Sequence, residues 1–302
     1  MARAISLIED SDPMAGEVVR VIYPHTGRAM RVGITGPPGV GKSSLISTLV
    51  RRCREECMSV GVISVDPSSP FTQGALLGDR IRLAEHFLDR EVFIRSMSTR
   101  GHLGGVAEAT LQASLVLDAA GKQVIFVETV GVGQSEIEIA SITDTVVLAL
   151  MPGSGDSVQA LKAGIMEIPD VIVVNKKDHP ESEKMVDEVR MILHLSMMRR
   201  EWEPPVIATS ATTGEGIQEL WDQIKAHRTF LLSTGALDER RARQMEKEVF
   251  TLAAHQMQEL LLRRARSDPS LAAILAQVRS RETDPLSAVQ AVLREVFALP
   301  EE

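Results

Sequence analysis

Cysteine is scarce in this chain, and basic residues are outnumbered by acidic ones. Only Cys53 and Cys57 occur among 302 residues. They sit four apart on an expected helix, sharing one face, and lack nearby partners for a tetrahedral metal site. They read as buried or half-buried thiols of a reducing compartment. Lys and Arg number 33 against 41 Asp and Glu, a formal net charge of −8. That balance disfavours nonspecific binding to nucleic acid or to an anionic membrane. Short basic runs such as Arg51-Arg52 and Arg240-Arg241 alternate with acids and read as solvated helix faces. No run approaches the roughly 20 apolar residues of a membrane span. Glu9, Asp10 and Asp12 break the start before any apolar stretch of a signal peptide. These absences lead to the expectation of a cytoplasmic protein, or one of a matrix-like compartment of bacterial type. Internal repeats and low-complexity tracts are also lacking. With 44% hydrophobic residues the chain has ample material for a core, and its length suggests roughly two domains, or one large domain with an appendage.

Gly36-Pro37-Pro38-Gly39-Val40-Gly41-Lys42-Ser43 has the form G-x-x-x-x-G-K-S. Nucleoside triphosphate binding needs several donors converging on the phosphates, and glycines let backbone N–H groups turn inward without side chains in the way. Lys42 adds a mobile charge for the β- and γ-phosphates, the Ser43 hydroxyl suits a magnesium ion, and Ser44 continues the donor run. Arg31 to Thr35 reads as a short buried strand ahead of the loop, and Ser44 to Val50 as a helix behind it. The helix N-terminus then points its partial positive charge at the phosphates.

Asn175-Lys176-Lys177-Asp178 follows the apolar run Val171 to Val174, at the strand end where open α/β sheets bind ligands. Asp178 offers two acceptor oxygens to the N1–H and exocyclic amine of guanine. Adenine has neither donor, and losing two charge-assisted bonds, roughly 1.5–3 kcal/mol each, costs about two to four decades of affinity. Lys176 can lay its methylene stem on the base, and Asn175 can tie this loop to the phosphate loop. Ser210-Ala211, after the run Val206 to Thr209, lets a backbone N–H approach the guanine O6, although an ordinary strand-to-loop junction fits those residues equally on their own. Between these motifs stands Glu128-Thr129-Val130-Gly131, where most GTPases carry Asp-x-x-Gly. A carboxylate there orders magnesium-bound water, and the glycine N–H can meet the γ-phosphate. GTP or GDP with magnesium is the ligand set this order of motifs implies.

Continuous apolar runs at Val60 to Val65, Val92 to Ile94, Val124 to Val127, Val146 to Leu150, Val171 to Val174 and Val206 to Ala208 alternate with helical patterns. Unbroken runs imply strands covered on both faces, hence an α/β fold with a mostly parallel sheet flanked by helices. The texture changes at Gly235. Asp238 to Arg266 contains no Pro or Gly and reads as a long amphipathic helix, with shorter helices at Leu271 to Val278 and Leu286 to Phe297. The expected organisation is an N-terminal helical segment 1–30, a P-loop domain 31–234 and a C-terminal helical region 235–302. Periodicity leaves open whether the last region packs on the domain or pairs with a second copy.

On the stretches GITGPPGVGKSSL, SVDPSSP, GALLGDRIR, TRGHLGG, VETVGVGQSE, PGSGDSVQALKAG and VNKKD, the chain resembles the MeaB/MMAA/ArgK group of SIMIBI-class GTPases, which serve cobalamin-dependent acyl-CoA mutases. The likeness runs from about Ile5 into the helical C-terminus. It implies that Asp66 and Glu128 flank the magnesium and its waters and that Asp79 lies in a nucleotide-sensing switch and joins Ser43, Asp66 and Glu128 around the metal. Arg100 is implied to lie in a loop, Thr99 to Gly105, near the site. Asp156 and Lys162 are implied to belong to a loop, Pro152 to Lys162, that relays nucleotide state to the partner. His102 departs from the small or polar residue expected there, and the N-terminus is short for the group. The resemblance further implies a homodimer arm at the C-terminus and a mutase client, with an adenosyltransferase as a further candidate partner.

The expected reaction is attack of a magnesium-ordered water on the γ-phosphate, with the protein positioning groups and stabilising charge. Ras-like enzymes place Gln directly after the Asp-x-x-Gly glycine. Here Val132 stands there and Gln134 comes later, so slow intrinsic turnover accelerated by a partner is expected. Rival readings are a nickel-delivery GTPase of the hydrogenase or urease type, an ArgK-type transport-associated kinase, and a non-catalytic nucleotide-dependent scaffold. The first needs Cys/His clusters, whereas the seven His and two Cys are scattered. The second needs an acceptor site that the sequence does not display.

Overall fold

Seven Val- and Ile-rich segments pair into one sheet: β1 (Met30–Thr35), β2 (Val60–Asp66), β3 (Val92–Ser98), β4 (Val124–Thr129), β5 (Thr145–Leu150), β6 (Val171–Asn175) and β7 (Val206–Thr209). Their order is β3-β2-β4-β1-β5-β6-β7, and every pairing is parallel. The computed structural model describes residues 1–10, 12–66, 83–98, 105–129, 138–153, 168–195 and 201–297. Every residue of β1, β4, β5 and β6 is buried. Branched side chains suit a pleated surface covered on both sides, which is why these strands show no polar alternation.

One face is covered by α3 (Lys42–Glu55) and α6 (Ile217–Thr234). Val32, Ile34, Phe126, Val147 and Val173 meet Leu45, Ile46, Leu49, Leu220, Trp221 and Ile224 there. Trp221 is fully buried, and truncating such a side chain to Ala costs about 3–5 kcal/mol. The other face carries α4 (Gly105–Ala119), with α1 (Ala2–Glu9) and α2 (Ala15–Ile22) packed on it, and α5 (Ser182–Leu195). Met185, Val186 and Val189 of α5 close over Leu148, Leu150, Ile172 and Val174. Arg95 of β3 fastens α1 by donating to Ser6 Oγ and to the Glu9 carboxylate.

In space the sheet extends from β1 through β4, β2 and β3 on one side, laid down before β5, β6 and β7 on the other. The C-terminal end of β1 is therefore the switch point at which a parallel sheet opens a crevice.

The opposite rim is closed by buried charge. Asp144, just before β5, accepts from the Arg31 amide at 3.0 Å and from the Arg31 guanidinium at 2.7 Å, and it also takes Arg241. Asp170, just before β6, accepts from the Val146 amide at 2.8 Å and from Arg240 at 2.9 Å. Arg240 and Arg241 lie in α7 (Ala236–Ser267), and the reading of this pair as a solvated helix face is overturned. Together with Gln244 they form the side of the helix turned to the rim. Gln244 donates to the Ala140 and Thr143 carbonyls at 3.0 and 2.8 Å and accepts from Arg31 at 2.9 Å. Burial alone raises a carboxyl pKa, but Arg31 and Arg241 outweigh it and hold Asp144 down at about 2.

The two cysteines also part company. Cys53 is buried, and burial pushes its thiol up to about 12. Cys57 lies beyond the end of α3, exposed, with a left-handed φ of 59°. Its amide donates to the Arg54 carbonyl and that of Met58 to the Cys53 carbonyl, a helix-closing pattern that usually employs glycine.

The chain forms two compact units, Met1–Gln244 and Met245–Glu302. The second holds the remainder of α7 with α8 (Pro269–Arg279) and α9 (Pro285–Phe297). Asp268 caps α8 by accepting from the Ser270 amide at 3.0 Å, with Pro269 in the first turn. Leu271 and Ala288 are buried within this unit, whereas Val249, Phe250, Leu260 and Leu262 are exposed. Among the described residues no helix is long and apolar enough to cross a membrane.

Candidate nucleotide-binding site

The Gly36–Gly41 loop joins β1 to α3 at the switch point. Two of its glycines are dictated by space and conformation. Gly36 has φ +143°, and a Cβ there would sit 2.1 Å from the Ala149 carbonyl oxygen. Gly41 has φ +95°, and a Cβ would sit 2.6 Å from Asn175 Nδ2. Pro38 and Gly39 are exposed, whereas Val40 is fully buried and anchors the loop in the core. The N-cap residue Gly41 offers no side chain to the first turn of α3, whose amides carry the positive end of the helix dipole. Lys42 is buried and donates to the Gly36 and Pro37 carbonyls at 2.8 and 3.1 Å. Its ammonium is thus held over the loop, where phosphate oxygens would meet it. Ser44 follows in the same first turn, half-buried.

Glu128 closes in from β4. Its carboxylate, only 2% exposed, accepts from Ser43 Oγ at 2.7 Å, and Ser64 Oγ lies 3.4 Å from its second oxygen. Ser64 is its direct neighbour in the β2–β4 register. A buried hydroxyl and carboxylate at the foot of a phosphate loop are hard oxygen donors of the type magnesium takes. These residues therefore fit the ion, which would supply charge neutralisation for the phosphates. Asp66 ends β2, two residues beyond Ser64. Its side chain, together with residues Asp79, Arg100, His102, Asp156 and Lys162, falls outside the described residues. Among the described residues no group of three or more His, Cys, Asp or Glu is placed to hold a metal ion.

The half expected to face the base is built on the ends of β6 and β7. Asn175, buried at the end of β6, donates from Nδ2 to the Val40 carbonyl at 2.7 Å. Its Oδ1 accepts from Thr209 Oγ1 and from the Ala211 amide, both at 3.2 Å. The amide expected to address guanine O6 is here bonded to Asn175. Lys176 turns outward in a left-handed conformation, φ 62°, with Nζ 3.1 Å from Met151 Sδ. Asp178 is exposed, and Ser210 is buried with its amide donating to the Glu215 carbonyl at 2.9 Å. Asn175 therefore brings Val40 and the Ser210-Ala211 loop together.

Sequence reasoning missed Ser64, Thr209 and Glu215. Ser64 had a signal, because positions 64 and 66 of an extended strand face the same way. Thr209 and Glu215 had none, since their partners are distant along the chain.

A glycine loop between strand and helix at the switch point of an all-parallel sheet, with Asn-Lys-x-Asp closing the strand two places across, is the arrangement of a P-loop GTPase. The profile of the family described as methylmalonyl-CoA mutase-associated GTPase MeaB matches residues 1–267, and the chain belongs to that family. A protein of Pyrococcus abyssi named as a GTPase is 49% identical over 302 residues, covering 98% of this chain and 92% of the relative. The mouse mitochondrial methylmalonic aciduria type A homolog is 34% identical, over 90% of this chain and 69% of its own. A solved structure described as a LAO/AO transport system kinase superposes with a TM-score of 0.72 at 27% identity, covering 98% of this chain and 92% of that one. The protein hydrolyses GTP.

Proposed function

We propose that this GTPase is a timing device for a cobalamin-dependent acyl-CoA mutase of the methylmalonyl-CoA type, gating cofactor delivery and protecting or rescuing the mutase after cofactor damage. The reading is supported above all by one observation: the match to the mutase-associated family extends through residue 267, past the nucleotide-binding core and to the end of α7. Lys42 and the Gly36–Ser44 segment hold the phosphates. Ser43, Glu128, Asp66 and Asp79 serve magnesium, and Asn175, Lys176, Asp178, Ser210 and Ala211 surround the base. The buried Ser43–Glu128 bond supports the metal assignment, because it gathers two hard oxygen donors at the foot of the phosphate loop. The GTP and GDP forms present different surfaces, and the mutase responds through its different contacts with each. Asp156 and Lys162 carry that difference to the client. The exposed apolar residues Val249, Phe250, Leu260 and Leu262 support a homodimer arm, and an adenosyltransferase is a candidate third member of the complex.

The test is turnover with and without the client. Purified cobalamin-dependent mutase from the same cells is expected to accelerate GTP hydrolysis severalfold. Lys162→Ala should bind GTP normally and lose that acceleration. Turnover indifferent to the mutase sinks the reading. The kinase named in the structural neighbour raises a second possibility, tested in the same tubes: transfer of labelled γ-phosphate from GTP to protein rather than to water would establish it.

A further inference from the structure

Two loops frame the expected base pocket: residues 176–178 after β6 and 210–215 after β7. They are joined on the inside by the Asn175 amide. A second junction lies on the outside. Lys177 Nζ donates to Glu215 Oε1 at 2.5 Å, across 38 residues of chain. Both partners are fixed through their backbones. The Lys177 amide donates to the Thr209 carbonyl at 2.9 Å, and the Glu215 carbonyl accepts from the Ser210 amide at 2.9 Å. The turn that follows Glu215 has no slack, because Gly216 is left-handed and a Cβ there would sit 2.2 Å from the Ala208 carbonyl oxygen. Lys177 stands between Lys176 and Asp178, so whatever holds Lys177 also sets the position of both neighbours.

We propose that Lys177 and Glu215 are a positioning pair that holds the two base-framing loops at a fixed separation and thereby sets how long a guanine nucleotide stays bound. This rests on Asp178 as the reader of the base. An ion pair within one helix leaves the gap between loops untouched, whereas this one spans it. The Glu215 carboxylate keeps the Lys177 ammonium above the ordinary lysine range, with lesser help from Glu219 and Glu183. The Lys177 and Glu215 side chains are 38% and 58% exposed, so their attraction is screened by water and weakened by salt. The expected effect is accordingly modest and sensitive to ionic strength.

Release of a fluorescent GDP from the full-length protein tests this by stopped flow. At low salt, Glu215→Gln and Lys177→Met should each speed release by about two- to fivefold with the association rate unchanged. Added salt should speed release from the wild type and leave the two variants unaffected. The exchange Lys177→Glu with Glu215→Lys should slow release again, incompletely because Glu219 and Glu183 then face a glutamate. Wild-type release rates in both single variants, or an exchanged protein as fast as the singles, would overturn the pair. Inosine diphosphate, which lacks the 2-amine, separates this from the underlying assignment. Its affinity penalty relative to GDP should persist in Glu215→Gln and vanish in Asp178→Asn. Persistence in Asp178→Asn would remove Asp178 as the reader and leave the loop measurement standing on its own.

Discussion

Asn175 carries one side-chain amide, and both ends of it are engaged by other segments: the phosphate loop through Val40, and the β7 loop through Thr209 and Ala211. Asn175→Ala would strand a buried carbonyl and loosen both loops, at about 1–3 kcal/mol for each buried group left unsatisfied. GDP affinity, measured by calorimetry, is expected to fall about tenfold or more. Asn175→Asp should be worse than Ala, since a carboxylate oxygen would face the Val40 carbonyl. Lys42→Ala should abolish triphosphate binding, because the ammonium held over Gly36 and Pro37 is the one that phosphate oxygens would meet. Near-normal affinity in a titration would remove it from the site. Asp178→Asn should move preference from GTP toward XTP, whose 2-oxo group accepts what the amide donates. Unchanged selectivity would mean that another residue reads the base.

At the scale of elements, the rim opposite the candidate site fastens the start of α7 to the sheet. Asp144→Ala would leave Arg31, 4% exposed, without its carboxylate. Breaking a buried pair from one side costs about 3–5 kcal/mol, to be read as a lower midpoint in urea. His227 adds a pH dependence. Its Nδ1 lies 2.9 Å from Thr145 Oγ1 and its Nε2 lies 3.3 Å from Asp170. Burial depresses its pKa to about 4, with Asp170 pulling the other way and Arg240 assisting. The unfolded imidazole titrates near 6.5, so between pH 4 and 6.5 the unfolded chain binds the extra proton. Stability should therefore be complete above about pH 6.5 and fall as pH drops toward 4, by roughly 3 kcal/mol in all. His227→Gln should flatten that slope in melting curves taken across the window. The strands and the loop–helix junction were legible because an apolar run and a fixed glycine spacing are local signals. The rim was not: a pair between residues 144 and 241 exists only once the sheet is built, so Arg240-Arg241 resembled any exposed basic run. The end of α3 was hidden for a different reason. Cys57 adopts the left-handed closing conformation, and no glycine marks the stop.

For the whole molecule, nucleotide binding should raise the melting temperature through mass action, by about 2.7 kcal/mol of stabilisation at a hundred times the dissociation constant. Guanine and adenine diphosphates compared at equal concentration give the base preference without an activity assay. The proposed homodimer has its own test. Phe250 is 75% exposed on α7, and Phe250→Glu should halve the mass found by light scattering if that face joins two copies. An unchanged mass places the contact elsewhere. Asn175 is immersed in the framework, whereas Asp178 is exposed. If Asp178 reads the base as proposed, a designer could exchange its carboxylate without touching any structural support. The product would be an orthogonal clock that runs only on a synthetic purine, letting this single GTPase be started or stopped inside a living cell while every other one keeps its ordinary fuel.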